Sequence, residues 1–172
     1  MGEALRSANR KRKASPLVVG MADMAVSDNP EKVIVTYALG SCIALVLYDP
    51  VRKAAGMLHY MLPLSQTNPK KAKSNPAMFA DTGVPLLFKK MFELGCRREN
   101  LVVKAAGGGS ITDEKGVFNI GKRNHTVLKK ILWKNDIHIS AEDVGGKRSR
   151  TVHIYVKDGL TVVSSRGREE EL

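Results

Sequence analysis

Apolar positions along the chain fall into short runs broken by turn residues, with two longer stretches at helical spacing. The crowding of apolar residues from Leu17 to Val26, around Gly20 and Asp23, predicts a first strand, and Ser27-Asp28-Asn29-Pro30 a turn into a second strand at Val33. Ile43 to Tyr48 and Gly56 to Met61 read as two strands, rich in β-branched and aromatic types, joined across Asp49-Pro50-Val51-Arg52. Asp followed by Pro is the preference of a type I turn, because Asp bonds the backbone ahead and Pro presets φ. Leu64 to Pro76 is polar, with two prolines and three lysines, and reads as a long mobile loop.

Asn75-Pro76 has the chemistry of a helix start, cap followed by Pro at the first helical position. Val84, Leu87, Phe88, Met91 and Leu94 continue it at helical spacing, Pro85 is expected to kink it and Gly95 to stop it. Leu101 to Ala106 is a strand running into Gly107-Gly108-Gly109. A second helix enters at Asn119 to Arg123 and runs through Trp133, with Val127, Leu128, Ile131 and Leu132 on its buried stripe and His125 facing solvent. Ile137 to Ala141 reads as a strand and Val144 to Ser149 as a Gly-rich basic loop. Thr151 to Val156 and Leu160 to Val163 form a hairpin across Asp158-Gly159, a strong turn signal.

The hairpin register brings in the chemistry. If Asp49 to Arg52 closes the loop, Tyr48 faces Lys53 and Cys42 faces His59, with Cβ atoms roughly 4.5–5.5 Å apart. A bulge near Ala54 to Gly56 would slip the pairing by one and put the two residues on opposite faces. A neighbouring imidazolium favours the thiolate over the thiol, so the pair suits nucleophilic catalysis, with His59 as acid and then base. Gly40-Ser41 makes a permissive turn that presents backbone N–H groups, including that of Cys42, to an oxyanion. Thr36, at the end of the Val33–Val35 run, supplies a hydroxyl to orient the imidazole. The competing reading makes Cys42 a small buried hydrophobe and His59 a hydrogen-bonded core histidine.

The chain has 172 residues and 43% hydrophobic content, enough for one full core and short for two. Residues 1–15 read as a disordered basic arm, 16–164 as the folded domain and 165–172 as a charged tail. No apolar run is long enough to span a bilayer, and no hydrophobic signal region follows the basic start, so a soluble cytoplasmic protein is expected. The two cysteines, Cys42 and Cys96, are too few for a disulfide framework and have no metal-site spacing; reduced thiols and no metal or cofactor are expected.

The net charge of +11 is concentrated in Arg6 to Lys13, Pro69 to Lys73 and Lys147 to Arg150. No aromatic residues interleave with these clusters, which argues against nucleic acid. They either steer the chain toward an acidic protein partner or form a solvated surface. The Gly107 run lacks a Lys at phosphate-loop spacing, so it reads as a close backbone approach rather than a nucleotide site. Cys96, His138 and His153 read as structural. The loop before Pro76, just beyond His59, either covers the site or is an exposed connector.

The runs TYALGSCIALVLYDP and GMLHYMLP also resemble the signature of the CheD family of chemoreceptor glutamine deamidases. The resemblance extends through NPAMFADTGVPLL, FNIGKRN and AEDVGGKRSRTV, roughly Pro16 to Val163 in the same order. It implies a cysteine-hydrolase-like α/β fold, also seen in certain toxin deamidases: one domain, a layered mixed β-sheet sandwich flanked by helices. Cys42 matches the family nucleophile, His59 the general base and Thr36 the third member. The implied activity converts glutamine side chains in the cytoplasmic domain of methyl-accepting chemotaxis receptors to glutamate, through a Cys thioester. The implied second partner is a CheC-type phosphatase. A transglutaminase or glutamyl methyl esterase would use the same three residues, and a non-catalytic regulator of receptor or phosphatase would need none of them for turnover.

Overall fold

The computed structural model describes residues 14–111, 113 and 115–172. The expected basic arm lies outside these residues except for its last two. The chain runs β1 (Ser15–Val18), β2 (Asp23–Ser27), β3 (Lys32–Leu39), β4 (Ile43–Asp49) and β5 (Ala54–Tyr60), then α1 (Pro69–Ser74) and α2 (Ala80–Glu93). It continues through β6 (Val102–Gly107), α3 (Ile120–Lys134), β7 (Ala141–Val144), β8 (Arg150–Tyr155), β9 (Thr161–Ser165) and β10 (Arg168–Glu171). Two five-stranded mixed sheets result, one ordered β1-β3-β8-β9-β10 and the other β2-β5-β4-β6-β7.

The layering follows from side-chain alternation along the central strand β4, which is buried on both faces. Ile43, Leu45 and Leu47 pack with Val84, Leu87 and Met91 of α2 and with Leu128 and Leu132 of α3. Ala44, Val46 and Tyr48 point the other way and pack with Ile34, Val152, Ile154 and Val163 of the opposite sheet. The order is therefore helices, sheet, sheet, as the layered α/β expectation required.

Several elements differ from the sequence reading. Leu17 to Val26 is two strands, because Ala22 takes φ +54 and turns the chain from one sheet to the other. Leu64 to Pro76 is ordered: Ser65–Thr67 is a 3-10 turn, and Asn68 caps α1 by accepting from the Lys71 N–H. The helix expected from Pro76 is interrupted at Phe79, which is extended and bridges Leu62, so α2 starts at Ala80 with Pro85 inside it. Its end is as read: the Gly95 and Cys96 N–H groups close onto the Phe92 and Met91 carbonyls. Ile137 to Ser140 is not strand; Ile137 and Ile139 only cover the helix-side core, and β7 begins at Ala141. His138 is accordingly outside any strand, while His153 lies in β8 as expected. The charged carboxyl-terminal stretch pairs antiparallel with β9 as an edge strand, where a run of charge is well tolerated.

Candidate active site

The β4–β5 register differs from the expected one by two residues. Ala44, not Cys42, faces His59, and Asp49 pairs Ala54 across the loop Pro50 to Lys53. The physical reason is Asp49, which remains in the strand while its carboxylate accepts the Val51 and Arg52 N–H groups, and Lys53 takes φ +54 to close the turn. A two-residue shift preserves the face, so Cys42, two residues before Ala44, remains on the His59 side of the sheet. That side is the interior between the two sheets, where Cys42 packs against the inter-sheet core.

Thr36 comes to the same place from the opposite sheet. It is not at the end of a strand: it lies within β3, pairs with Val152, and immediately precedes a bulge at which Ala38 takes φ +55. The left-handed residue of this segment is thus Ala38 rather than Gly40. Thr36 and His59 are both buried, and Thr36 Oγ1 lies 2.7 Å from His59 Nδ1 and 2.7 Å from the Val19 carbonyl oxygen.

A carbonyl only accepts, so the hydroxyl proton goes to Val19 and the hydroxyl oxygen accepts Nδ1–H from His59. The ring is held as the Nδ1–H tautomer. Nε2, buried and without a hydrogen-bond partner, carries the free lone pair. Burial lowers the His59 pKa to about 4. Burial raises that of Cys42, partly offset by the Cys42 backbone N–H, which bonds the sulfur. The resting pair is a neutral thiol and a neutral imidazole, not the thiolate–imidazolium pair expected from sequence.

Three neighbours fix the backbone around Cys42. The Gly109 N–H donates to Gly40 O at 2.8 Å and the Gly108 N–H to Cys42 O at 2.8 Å. Between them, Asn124 Nδ2 of α3 donates to Ser41 O at 3.0 Å and to Met61 O at 2.9 Å. The close backbone approach read into the glycine run is therefore present. A Cβ on Gly107 would lie 2.2 Å from Cys42 O, and one on Gly121 2.4 Å from Gly108 O.

Sequence reasoning missed Asn124. Its signal was a polar residue on the buried stripe of α3, in line with Gly121, Leu128 and Leu132. Arg150 was also missed. It is buried, bonding Asp143 at 3.1 Å, Gly145 O at 2.7 Å and Gly107 O at 3.4 Å. A cavity of about 670 Å³ opens beside Ser41, lined among others by Gly108, Gly109, Phe118, Lys122 and His125. His125 does not simply face solvent, for its Nε2 lies 2.8 Å from Glu142.

Cys96 is remote in role. It is buried, and burial followed by the Asp49 carboxylate pushes its thiol up to about 11, the Arg52 charge opposing only in part. Among the described residues no three His, Cys, Asp or Glu side chains are grouped to hold a metal ion, and no helix is long and apolar enough to cross a membrane.

Residues 61–165 match the family described as CheD chemotactic sensory transduction. The chain is 52% identical over 151 residues to "Probable chemoreceptor glutamine deamidase CheD 2" of Anaeromyxobacter dehalogenans, spanning 88% of this chain and 95% of that one. It is 48% identical over 151 residues to "Probable chemoreceptor glutamine deamidase CheD 1" of Syntrophus aciditrophicus, spanning 88% and 94%. The corresponding protein of Solibacter usitatus is 48% identical over 156 residues, spanning 91% and 92%. On this breadth of similarity the chain belongs to the CheD family.

Proposed function

We propose that this protein is a chemoreceptor glutamine deamidase, hydrolysing glutamine side chains of a receptor cytoplasmic domain to glutamate and ammonia in the cytoplasm. The observation that carries the reading is the His59 ring: Nδ1–H is committed to Thr36, and the Nε2 lone pair is free on the face that carries Cys42.

The chemistry follows from those positions. Cys42 Sγ attacks the carboxamide carbon as its proton passes to His59 Nε2. The carbonyl oxygen becomes an oxyanion at the Ser41–Cys42 backbone, where the turn from Gly40 presents N–H groups. His59 returns the proton to the amide nitrogen, the C–N bond breaks and ammonia leaves a glutamyl thioester. Water then attacks the thioester, giving a proton to Nε2. Collapse of this second tetrahedral species breaks the C–S bond, returns the proton to sulfur and releases glutamate. Thr36 keeps the imidazole in the tautomer that this cycle requires. Each turnover places a negative charge on the receptor surface.

A CheC-type phosphatase is the second partner of this reading, resting on the family resemblance. The test is mass spectrometry of a receptor cytoplasmic fragment incubated with wild type, Cys42→Ala and His59→Ala. A glutamine-to-glutamate mass gain with wild type alone is expected. Modification by Cys42→Ala overturns the nucleophile assignment, and no modification by any form favours the non-catalytic regulator. Incorporation of an added amine identifies a transglutaminase, and release of methanol from a methylated fragment an esterase.

A further inference from the structure

We propose that Asn124 is the positioning residue of the oxyanion site, setting the direction of the Cys42 N–H by holding the Ser41 carbonyl. The inference rests on the reading of Cys42 as nucleophile and adds to it a residue that never touches substrate.

Asn124 is fully buried on α3. Both of its amide protons are used, one on Ser41 O and one on Met61 O. Since both neighbours are carbonyls, only the nitrogen end of the amide can face them, so its orientation is dictated. Oδ1 is left buried without a partner. A buried acceptor without a donor is destabilising, so the position carries a cost for stability. The Tyr60 hydroxyl donates to the main-chain carbonyl of Asn124 at 2.8 Å, which ties this turn of α3 to the strand that carries His59.

What that arrangement fixes follows from peptide geometry. In a trans peptide the C=O and the next residue's N–H point in opposite directions across one plane. The described backbone has no cis peptide. Gly109 holds the Gly40 carbonyl and so aims the Ser41 N–H, while Asn124 holds the Ser41 carbonyl and so aims the Cys42 N–H, away from α3. The Cys42 N–H belongs to the residue whose sulfur attacks, so it lies beside the attacked carbon on which the oxyanion would form. The second Asn124 bond, to Met61, lies two residues beyond His59, so one side chain spaces the nucleophile's backbone from the base's strand. Without it the Ser41–Cys42 plane is free to rotate and the N–H loses its aim.

The test separates reactions that build an oxyanion from one that does not. Alkylation of Cys42 by iodoacetamide is a direct displacement at carbon and needs no oxyanion donor, whereas deamidation of a receptor fragment does. For Asn124→Ala and Asn124→Asp, kcat for deamidation should fall by about 10²-fold or more, the effect of removing one such donor. KM and the Cys42 alkylation rate should stay within about threefold of wild type. Deamidation unchanged in both variants overturns the role. Equal loss of deamidation and alkylation also overturns it, because it means a collapsed site rather than a misaimed donor.

Cys42→Ala, run alongside, keeps the underlying reading separate. Deamidation by that variant overturns the nucleophile assignment and this proposal with it. Deamidation lost in Cys42→Ala but intact in both Asn124 variants overturns this proposal only. Should the Asn124 variants not fold, wild type is titrated with a peptide carrying a glutamine-derived aldehyde, which adds the thiol to form a hemithioacetal oxygen. The Cys42 amide proton should then shift downfield in its NMR spectrum, and an unmoved resonance overturns the proposal.

Discussion

Thr36 Oγ1 accepts the Nδ1 proton of His59 across the interface between the two sheets, and gives its own proton to the Val19 carbonyl. One hydroxyl thereby decides which imidazole nitrogen is basic. Thr36→Val keeps the shape and removes both bonds. Deamidation of a receptor fragment should fall by roughly 10²-fold, the lower range of what a positioned acid–base group contributes. Stability should drop by about 1–3 kcal/mol as Nδ1 and the Val19 carbonyl are left unpaired. Thr36→Ser, which retains the hydroxyl, should recover most of the activity. Equal activity of Val and Ser variants would remove Thr36 from the mechanism.

The pH dependence of stability reports on the same ring. The folded His59 pKa of about 4 lies below the reference value of 6.5 because burial disfavours the charged ring. The unfolded chain therefore binds more protons than the native one between those values, so stability rises with pH through that window and is lost as pH falls from about 6.5 to 4. The full difference amounts to roughly 3 kcal/mol. Urea unfolding of wild type and His59→Gln across pH 4–7 measures it as the difference between the two curves. A constant difference would mean that His59 titrates as it does unfolded.

Activity should follow the same titration. A base that stays neutral down to about pH 4 places the acid limb of kcat/KM near that value, not near 6.5. With the Cys42 thiol raised by burial, thiol deprotonation alone should not generate an acid limb at neutral pH. An acid limb centred at 6.5 would show that the ring in the free enzyme is exposed to water.

Gly107 and Gly121 make the backbone approach that seats Gly108 on the Cys42 carbonyl. Gly107 has φ +116, and a Cβ there would overlap Cys42 O, a backbone atom that cannot swing aside. Gly107→Ala should cost about 3 kcal/mol or more and abolish deamidation, as strain and overlap act together. Gly145, also at positive φ but with open space around its Cβ position, is the control: Gly145→Ala should cost about 1 kcal/mol. Chemical denaturation of the two variants gives the comparison.

Much of this architecture was legible because local signals and burial agreed. Asp158-Gly159, Gly95 after α2, and the continuous apolar runs of β4 and β5 each specify one conformation, and each forms. The register failed by two because Asp49 uses its carboxylate to build the turn while its backbone stays paired, which a residue count cannot distinguish from a turn residue. α1 was missed although Asn68-Pro69 carries the same cap signal as Asn75-Pro76, since the surrounding lysines read as loop. Thr36 was identified from its place in the resemblance and as a polar residue after an apolar run, but its partnership with Val19 depends on β1 and β3 lying parallel, a pairing no local pattern encodes. Asn124 was hidden for the same reason, since its partners are backbone carbonyls far away in the chain, and Arg150 because its burial depends on the Gly107 strand end packing against it.

Arg150 shows what such a hidden residue supports. It is 2% exposed, and its guanidinium reaches Asp143 together with the Gly107 and Gly145 carbonyls, while Arg148 bonds the same carboxylate. Burial works against the charge on Asp143, but the bonds from Arg150 and Arg148 outweigh it and hold its pKa below the usual carboxylate range. Its stabilising contribution is present above the unfolded pKa and is lost as pH falls through the lower folded value. Asp143→Leu strands the buried Arg150 charge and should destabilise by roughly 3–5 kcal/mol, whereas Arg150→Met leaves Asp143 bonded to Arg148 and should cost less. The double variant should recover part of that loss, since no unpaired buried charge remains. It should not recover deamidation in full, because the Gly107 carbonyl, one residue before the N–H that holds Cys42, has lost the guanidinium and keeps only the Gly145 N–H. Urea unfolding and deamidation assays on the three variants separate the two roles, and a double variant with restored activity would show that the pair serves stability alone.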